Sequence, residues 1–285
     1  MLRIAVPNKG ALSAPAIELL HEAGYRMRRR GRELYIIDNR NNIEIFFLRP
    51  KDIAVYVAKG QIHAGITGRD LLLDSQADAI EYLPLGFGRA RFRFAGPAGK
   101  YSTLNDINGK TIATSFDALL EQFLDKNKMN ATIVHLDGAV ESSIQLGVAD
   151  IVADVVETGT TLHAAGLDVF GPEILVSEAL LITAERHLND PRLTIMKQRL
   201  RGVLVARNYV LVDYNIHADS LDQAIAITPG FESPTVSHLH DSSWLAVRAM
   251  VEKKLVNHVI DELVNVGGRS ILVSDLLSCR INSSE

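Results

Sequence analysis

The stretch Asp150-Ile-Val-Ala-Asp154-Val-Val-Glu157-Thr158-Gly159-Thr160-Thr161-Leu162 sets an apolar run directly before a turn of small and hydroxylated residues. A buried strand ending this way leaves successive backbone N–H groups and the hydroxyls of Thr158, Thr160 and Thr161 around one small volume. The positive end of the next helix lies behind them. Such a volume suits a phosphate, and the acids Asp154 and Glu157 suit the hydroxyls of a sugar that carries it. Gly- and Thr-rich junctions also arise simply to cap helices, so spacing alone does not separate the two readings. The loop has neither the G-x-x-x-x-G-K-[ST] nor the G-x-G-x-x-G form, which removes support from those two nucleotide folds.

Other chemistry-bearing residues follow other apolar runs: Lys9-Gly10, Arg49 with Lys51, and Gly68-Arg69-Asp70. Singly, each cation reads as a surface ion pair. In an open α/β sheet, however, the strand ends line one crevice, and there these cations converge on whatever anion occupies it. No Ser-His-Asp order, H-E-x-x-H motif or carboxylate dyad stands out. His63, His135 and His163 are isolated and read as structural, and the Arg26–Arg32 run reads as a solvated connection.

The elements that must position these residues fall into three modules. Arg3–Pro7 reads as a strand, followed by a helix with Ser13 as N-cap, Pro15 in its first turn and an end near Gly24. Leu34–Asp38 and Ile43–Leu48 read as strands, Ile53–Lys59 as a helix capped by Asp52, and Ala64–Thr67 as a strand before a helix at Leu71–Leu73. This alternation predicts a mostly parallel sheet. A second module follows the Gly86-Phe-Gly88 pair, with a strand at Arg89–Phe94, a strand before Ser115, a helix at Asp117–Lys126 and a strand at Ile133–Leu136 before the loop. The segments Val57–Gly68 and Gln145–Val156 echo each other, each a helix end, a glycine and a buried strand.

Ser177–Ala184 reads as a strand crossing back to the first lobe, closed by a helix at Pro191–Leu200. Two lobes joined by crossing strands is the plan of type II periplasmic binding proteins. In the tail, Val203–Ile216, Pro234–Leu239, Leu245–Val251 and Ser270–Ser274 read as strands. Asp219–Ile227 and Lys253–Val266 read as helices, the latter with Leu255, Val259, Ile260 and Leu263 on one face. That order, β-α-β-β-α-β, predicts a ferredoxin-like unit. The domains expected are therefore 1–88 with 178–202 as lobe I, 89–177 as lobe II, and 203–285 as a small regulatory or oligomerising unit.

Composition narrows the class of protein. With 285 residues, 47% hydrophobic and 22% charged, the chain is long enough for two or three packed cores. A net charge of −4 gives no general attraction to nucleic acid or to a membrane surface. Cys279 is the single cysteine, which excludes an internal disulfide and a multi-cysteine metal site. No apolar run approaches the ~20 residues needed to span a bilayer. No secretory signal is visible, so a cytoplasmic protein is expected.

The loop is similar to the phosphoribosyl-diphosphate loop of phosphoribosyltransferases. The strings Val6–Gly10, Phe47–Ile53, Gly65–Leu71, Leu136–Glu141, Asp150–Leu162 and Ile227–Thr235 together resemble the ATP phosphoribosyltransferase family in its long form with a C-terminal regulatory domain. The resemblance spans nearly the whole chain. It implies an enzyme that condenses ATP with phosphoribosyl diphosphate, assisted by Mg2+, to phosphoribosyl-ATP and diphosphate, the first step of histidine biosynthesis. It further implies L-histidine as feedback inhibitor and a homo-oligomer between dimer and hexamer.

By that resemblance Lys9, Glu141 and Asp154 are catalytic, with the two acids facing the ribose or its metal, and Asp154, Glu157, Thr158, Gly159, Thr160 and Thr161 hold phosphoribosyl diphosphate. Lys9, Arg49, Lys51, Asp70, Leu71 and Phe116 meet the nucleotide. Asp213, Asn215, Phe231, Ser233, Thr235 and Ser270 form the histidine site. No metal cage is implied, because substrate phosphates would hold most of the Mg2+. Two positions depart from the family pattern: Phe116 stands where relatives often have tyrosine, and Asn215 where an acid is expected. The alternative is a cytoplasmic solute-binding sensor of the same two-lobed fold. Such a sensor needs no sugar-phosphate loop, and regulators of that kind usually append a DNA-binding helix pair that this chain lacks.

Overall fold

A computed structural model of the chain describes residues 1–28, 33–156 and 160–280. Strand β1 (Leu2–Pro7) is an almost unbroken apolar run because both its faces are covered. The turn at Gly10 (φ 82) leads into helix α1 (Ser13–Glu22), which buries Ala16, Leu19 and Leu20. Ser13, expected as the cap before the helix, is its first residue, and its Oγ donates to the Pro7 carbonyl at 2.8 Å. Strands β2 (Tyr35–Asp38) and β3 (Ile43–Leu48) pair antiparallel around a turn held by the buried Asp38 carboxylate, which accepts from the backbone N–H of Arg40 and Asn41. Helix α2 (Pro50–Ala58) starts two residues before the expected Asp52 cap, since proline at the first position forfeits an N–H that would go unused. Strand β4 (Ala64–Gly68), helix α3 (Arg69–Asp74) and strand β5 (Ile80–Pro84) follow.

The chain then crosses to a second sheet through β6 (Ala90–Pro97), β7 (Thr111–Thr114), α4 (Asp117–Asn127), β8 (Thr132–His135), α5 (Ser142–Gln145), β9 (Ile151–Val156), α6 (Thr160–Ala164) and β10 (Leu167–Ser177). It returns to the first through β11 (Ala179–Thr183). Lobe I has the strand order β2-β3-β1-β4-β11-β5 and lobe II the order β10-β6-β9-β7-β8. The two are built alike: β4 has parallel β1 on one side and antiparallel β11 on the other, as β9 has parallel β7 and antiparallel β6. This is the expected two-lobed α/β plan. Each lobe has an apolar core, with Ile53, Val57 and Leu180 in lobe I and Phe92, Phe94 and Leu120 in lobe II.

Helix α7 (Pro191–Asn208) is eight residues longer than expected and takes in Val203–Asn208, which the sequence suggested as strand. Leu193, Met196, Leu200, Val203 and Ala206 are buried at steps of three and four, so the helical stripe runs unbroken through Gly202. Alternation begins only in β12 (Tyr209–His217), where Val210, Val212, Tyr214 and Ile216 are buried.

With α8 (Leu221–Ile227), β13 (Thr235–His238), β14 (Trp244–Glu252), α9 (Val256–Asn265) and β15 (Arg269–Asp275) it forms the expected antiparallel β-α-β-β-α-β unit, in the order β13-β14-β12-β15. Leu255 lies before α9 and is exposed; Val259 and Leu263 carry the buried face. By packing, the chain divides into a unit of Met1–His21 with Tyr25–Thr194 and a unit of Glu22–Gly24 with Ile195–Glu285. Among the described residues no helix is long and apolar enough to cross a membrane.

Helix α2 rests on β4 through Gly65, where a β-carbon would run into the Ile53 Cγ2 methyl and press on Val57 Cγ2. Gly65→Ala is therefore expected to destabilise the protein by about 1–3 kcal/mol through overpacking, read as a lowered urea midpoint at unchanged slope. An unmoved midpoint would show that this helix can lift without cost.

Candidate active site

Two chain crossings join the lobes, one after β5 and one between β10 and β11, and they are laced together at one residue. Leu85 N–H donates to the Ala179 carbonyl and Ala179 N–H to the Phe87 carbonyl, both at 2.9 Å. Ser177, two residues before Ala179, is buried, and its Oγ accepts from the Asp70 N–H at 3.1 Å while donating to Asp70 Oδ1 at 2.9 Å. The carboxylate at the start of α3 is thus fixed by a residue at the lobe crossing. Gly68 permits this arrangement, because a β-carbon there would collide with Asp70 Oδ1.

Beside this crossing lies a cleft of about 280 Å3 that brings together Lys9, Asp70, Leu71, Phe116 and Asp154. The β1 turn supplies Lys9, α3 supplies Asp70 and Leu71, the residue before α4 supplies Phe116, and β9 supplies Asp154. The Phe116 ring is buried edge-on against Phe92 at 5.3 Å between centroids, and its N–H is held by Thr114 Oγ1 at 3.0 Å. Leu12, Gly88 and Val155 also line the cleft; the sequence marks Gly88 only as part of the break between modules and gives no sign that Leu12 or Val155 faces a site.

Asp154 carries the site's electrostatics. Burial pushes its carboxyl above the usual carboxylate range, the nearby charges of Glu141 and Asp70 push it further, and the Val155 N–H at 2.8 Å offsets part of this. Three carboxylates thus share one field. Glu141 precedes α5 with helical backbone angles, and its side chain does not cap that helix. Directly across the ladder from Asp154 stands Arg93, whose Nη2 donates to the Gly171 carbonyl at 2.9 Å. Its Nε is buried without a hydrogen-bond partner among the described residues.

The other cations divide. Lys51 Nζ reaches from lobe I across to lobe II, 3.4 Å from the Ser115 carbonyl, 3.6 Å from Asp137 and 5.9 Å above the Phe116 ring. Arg49 is exposed immediately before α2. Arg69, expected to converge with them, instead forms a two-pronged pair with Glu81 at 2.8 and 2.9 Å and meets Glu178 at 3.4 Å, so it braces lobe I. Glu157, Thr158 and Gly159 lie outside the described residues, as does the Thr161 side chain; Thr160 opens α6. These three histidines have local partners: the His63 ring lies tilted against His187 at 4.9 Å between centroids, His135 bonds Asp117 at 2.8 Å and His163 lies 3.8 Å from Asp168.

In the C-terminal unit, Phe231, Ser233, Thr235 and Arg248 line a hollow of about 600 Å3 on the open face of the sheet. Asp213 adjoins it by accepting from Arg248 Nε at 2.6 Å, and Phe231 packs edge-on against Tyr209. Buried Thr228 shares a 2.7 Å hydrogen bond with the Tyr214 hydroxyl, which anchors the start of the segment bearing Phe231, Ser233 and Thr235. Asn215 is two residues further along β12 and pairs with Arg269, beside Ser270 at φ 51; neither Asn215 nor Ser270 lines the hollow.

Fold and site together define a two-lobed α/β protein with an acidic cleft between its lobes and a ferredoxin-like domain appended. A family model described as ATP phosphoribosyltransferase matches residues 49–202, and one for the HisG C-terminal domain matches residues 206–278. Curated ATP phosphoribosyltransferases of Pseudarthrobacter chlorophenolicus and Streptomyces coelicolor are 56% and 52% identical, each alignment covering 99% of this chain and 100% of the relative. Among solved structures, the ATP phosphoribosyl transferase (HisG:HisZ) complex from Thermotoga maritima superposes with a TM-score of 0.62 at 26% identity, over 70% of this chain and 97% of that one. The chain belongs to the ATP phosphoribosyltransferase family. It is a phosphoribosyl-transferring enzyme, and the solute-binding alternative is not favoured.

Asp154→Asn tests the strained carboxylate. A carboxyl raised in the folded state favours folding below its unfolded pKa and loses that contribution as pH rises through the folded value. The variant should therefore melt about 2–4 °C higher at pH 7–8, with the gain shrinking towards pH 4, while turnover falls about a hundredfold. A variant that is less stable at neutral pH would contradict the assignment.

Proposed function

We propose that this chain condenses ATP with 5-phosphoribosyl 1-diphosphate to N1-(5-phosphoribosyl)-ATP and diphosphate, the first step of L-histidine biosynthesis, in the cytoplasm where both substrates occur. The observation that supports the reading is Asp154, a largely buried carboxylate at the mouth of β9 whose charge is disfavoured by burial and by the neighbouring acids Glu141 and Asp70, in a cleft with Phe116 and Lys9. A carboxylate held in that condition favours a partner with donors or positive charge. A ribose that gains positive charge as it loses diphosphate supplies both.

The chemistry asks for alignment more than for activation. Adenine N1 is already a nucleophile: its lone pair forms the bond to ribose C1, and the bond from C1 to the diphosphate oxygen breaks with its electrons leaving on diphosphate. In this reading Phe116 and Leu71 hold the adenine by its faces, and Asp70 fixes the nucleotide's polar edge. The Phe116 ring supplies the apolar wall without a tyrosine's hydroxyl. Lys9, Arg49 and Lys51 offset phosphate charge, with Arg93 as a further cation near the end of β9. Asp154 and Glu141 face the ribose hydroxyls, and the segment 157–161 receives the 5-phosphate.

The donor set fits Mg2+, since Asp154 and Glu141 offer hard carboxylate oxygens. Among the described residues no cluster of three or more His, Cys, Asp or Glu side chains could hold a metal ion. In this reading the substrate's own phosphates hold most of the ion. When bound it would neutralise charge on the leaving diphosphate.

For regulation, we propose that L-histidine inhibits from the hollow of the C-terminal sheet, where Ser233 and Thr235 offer hydroxyls, Phe231 an aromatic face and Asp213 a carboxylate. We also propose a homo-oligomer, between dimer and hexamer.

Mixing the protein with ATP and phosphoribosyl diphosphate should produce the ultraviolet change of an N1-substituted adenine; no change in the presence of Mg2+ would sink the reading. Lys9→Ala should lower kcat/KM more than about tenfold, as loss of a charge-assisted contact does, while exposed Arg28→Ala should leave it nearly unaltered. Equal losses would put the cleft in the wrong place. Thr235→Ala should keep the basal rate and weaken inhibition by histidine about tenfold, and unchanged inhibition would remove the hollow from consideration.

A further inference from the structure

The residue before helix α4 is Phe116, which cannot cap it: the side chain is apolar, and the backbone sits at φ −128 and ψ 66 with no side-chain capping bond. Two of the first-turn N–H groups are nevertheless met. Leu119 N–H donates to Asp74 Oδ1 at 3.2 Å, and Ala118 N–H bonds the same carboxylate. Asp74 is the last residue of α3, which belongs to lobe I, whereas α4 belongs to lobe II. A helix of one lobe is thus capped by an acid of the other. The same short helix carries Asp70 and Leu71 into the cleft, at one turn's spacing from Asp74.

The neighbourhood is charged on every side. Lys51 from α2 and Asp117 from α4 face Asp74, Asp117 pairs with His135 of β8, and Asp137 lies 3.5 Å from His135 and 3.6 Å from Lys51. Burial pushes the Asp74 carboxyl above its ordinary range. A carboxylate is costly in such a place, and what it gains there is two N–H bonds and the positive end of a helix.

We propose that Asp74 is a positioning residue for the nucleotide: by capping α4 across the lobe boundary it fixes Phe116 as the wall of the cleft and locks that wall to the helix bearing Asp70 and Leu71. The proposal rests on the reading of Phe116 as the adenine wall. It predicts that loss of Asp74 is felt by ATP and hardly at all by phosphoribosyl diphosphate.

The test compares the full chain with Asp74→Ala, Asp74→Asn, Phe116→Leu and the Asp74→Ala/Phe116→Leu pair, by steady-state kinetics and by calorimetric titration with ATP. Asp74→Ala should raise the KM for ATP about tenfold, the size of a lost cap, and shift that for phosphoribosyl diphosphate less than about twofold. Asp74→Asn keeps an acceptor oxygen and should recover most of the loss. In the pair, the alanine should add little to the effect of Phe116→Leu, because the cap acts through that ring. Equal changes in both KM values, no recovery by asparagine, or full additivity in the pair would each overturn the proposal. Should Asp74→Ala not fold, Asp74→Ser, with a shorter acceptor, is expected between wild type and the full loss, and a wild-type KM for ATP would overturn the proposal. If the wild-type chain binds ATP and Asp74→Ala binds it equally well, this proposal alone falls. If the wild-type chain binds no ATP, the adenine reading of Phe116 falls first.

Discussion

Both crossings between the lobes are tied to Ala179, and the rest of the active region inherits its geometry from those two backbone hydrogen bonds. A lobe joined by one strand could swing freely. Joined by two strands that bond each other, it turns about one shared joint, as hinged two-lobed domains do. Ser177, beside the joint, carries that order outward to Asp70, and α3 carries it on to Leu71 and Asp74. The side chains that face the cleft are therefore referred to a common origin although they come from segments more than a hundred residues apart.

Within that frame the charges are distributed unevenly. Arg69 is satisfied by Glu81 and Glu178 and serves as scaffold. Asp154 has burial and two neighbouring acids against it and a single N–H in its favour. The ion pairs that brace lobe I are closed, whereas the Asp154 carboxylate in the cleft is left in a field that disfavours its charge. A site whose reactants bring both phosphate and developing positive charge needs that contrast.

How much of this could be read from the chain depends on distance along it. Short-range patterns read well: the apolar alternation of β12 from Val210 onward, the strand pair around the Asp38 turn, and the β-α-β-β-α-β order of the tail. Val203–Asn208 is ambiguous in the sequence because the short continuous apolar run Val203–Ala206 fits a strand and continues the helical stripe of Leu193, Met196 and Leu200 equally well, and tertiary packing decides between them. Strands β5 and β10 went unseen: β5 is short and partly exposed, and β10 is interrupted by an irregular register between Phe170 and Leu175. The cleft's residue types were legible as charges after strands. The partners that choose among them were not, because Ser177 meets Asp70 across 107 positions, and nothing in either segment announces the other.

The matching surroundings of β4 and β9 have a consequence for the kind of reaction the cleft can host. Each lobe brings one such strand to the cleft, and each brings an acid with it: Asp70 follows β4 and Asp154 stands on β9. A reactant that gains positive charge between the two banks is met by carboxylates from both at once. Neither lobe alone assembles that pair, so the effect exists only where the two are joined.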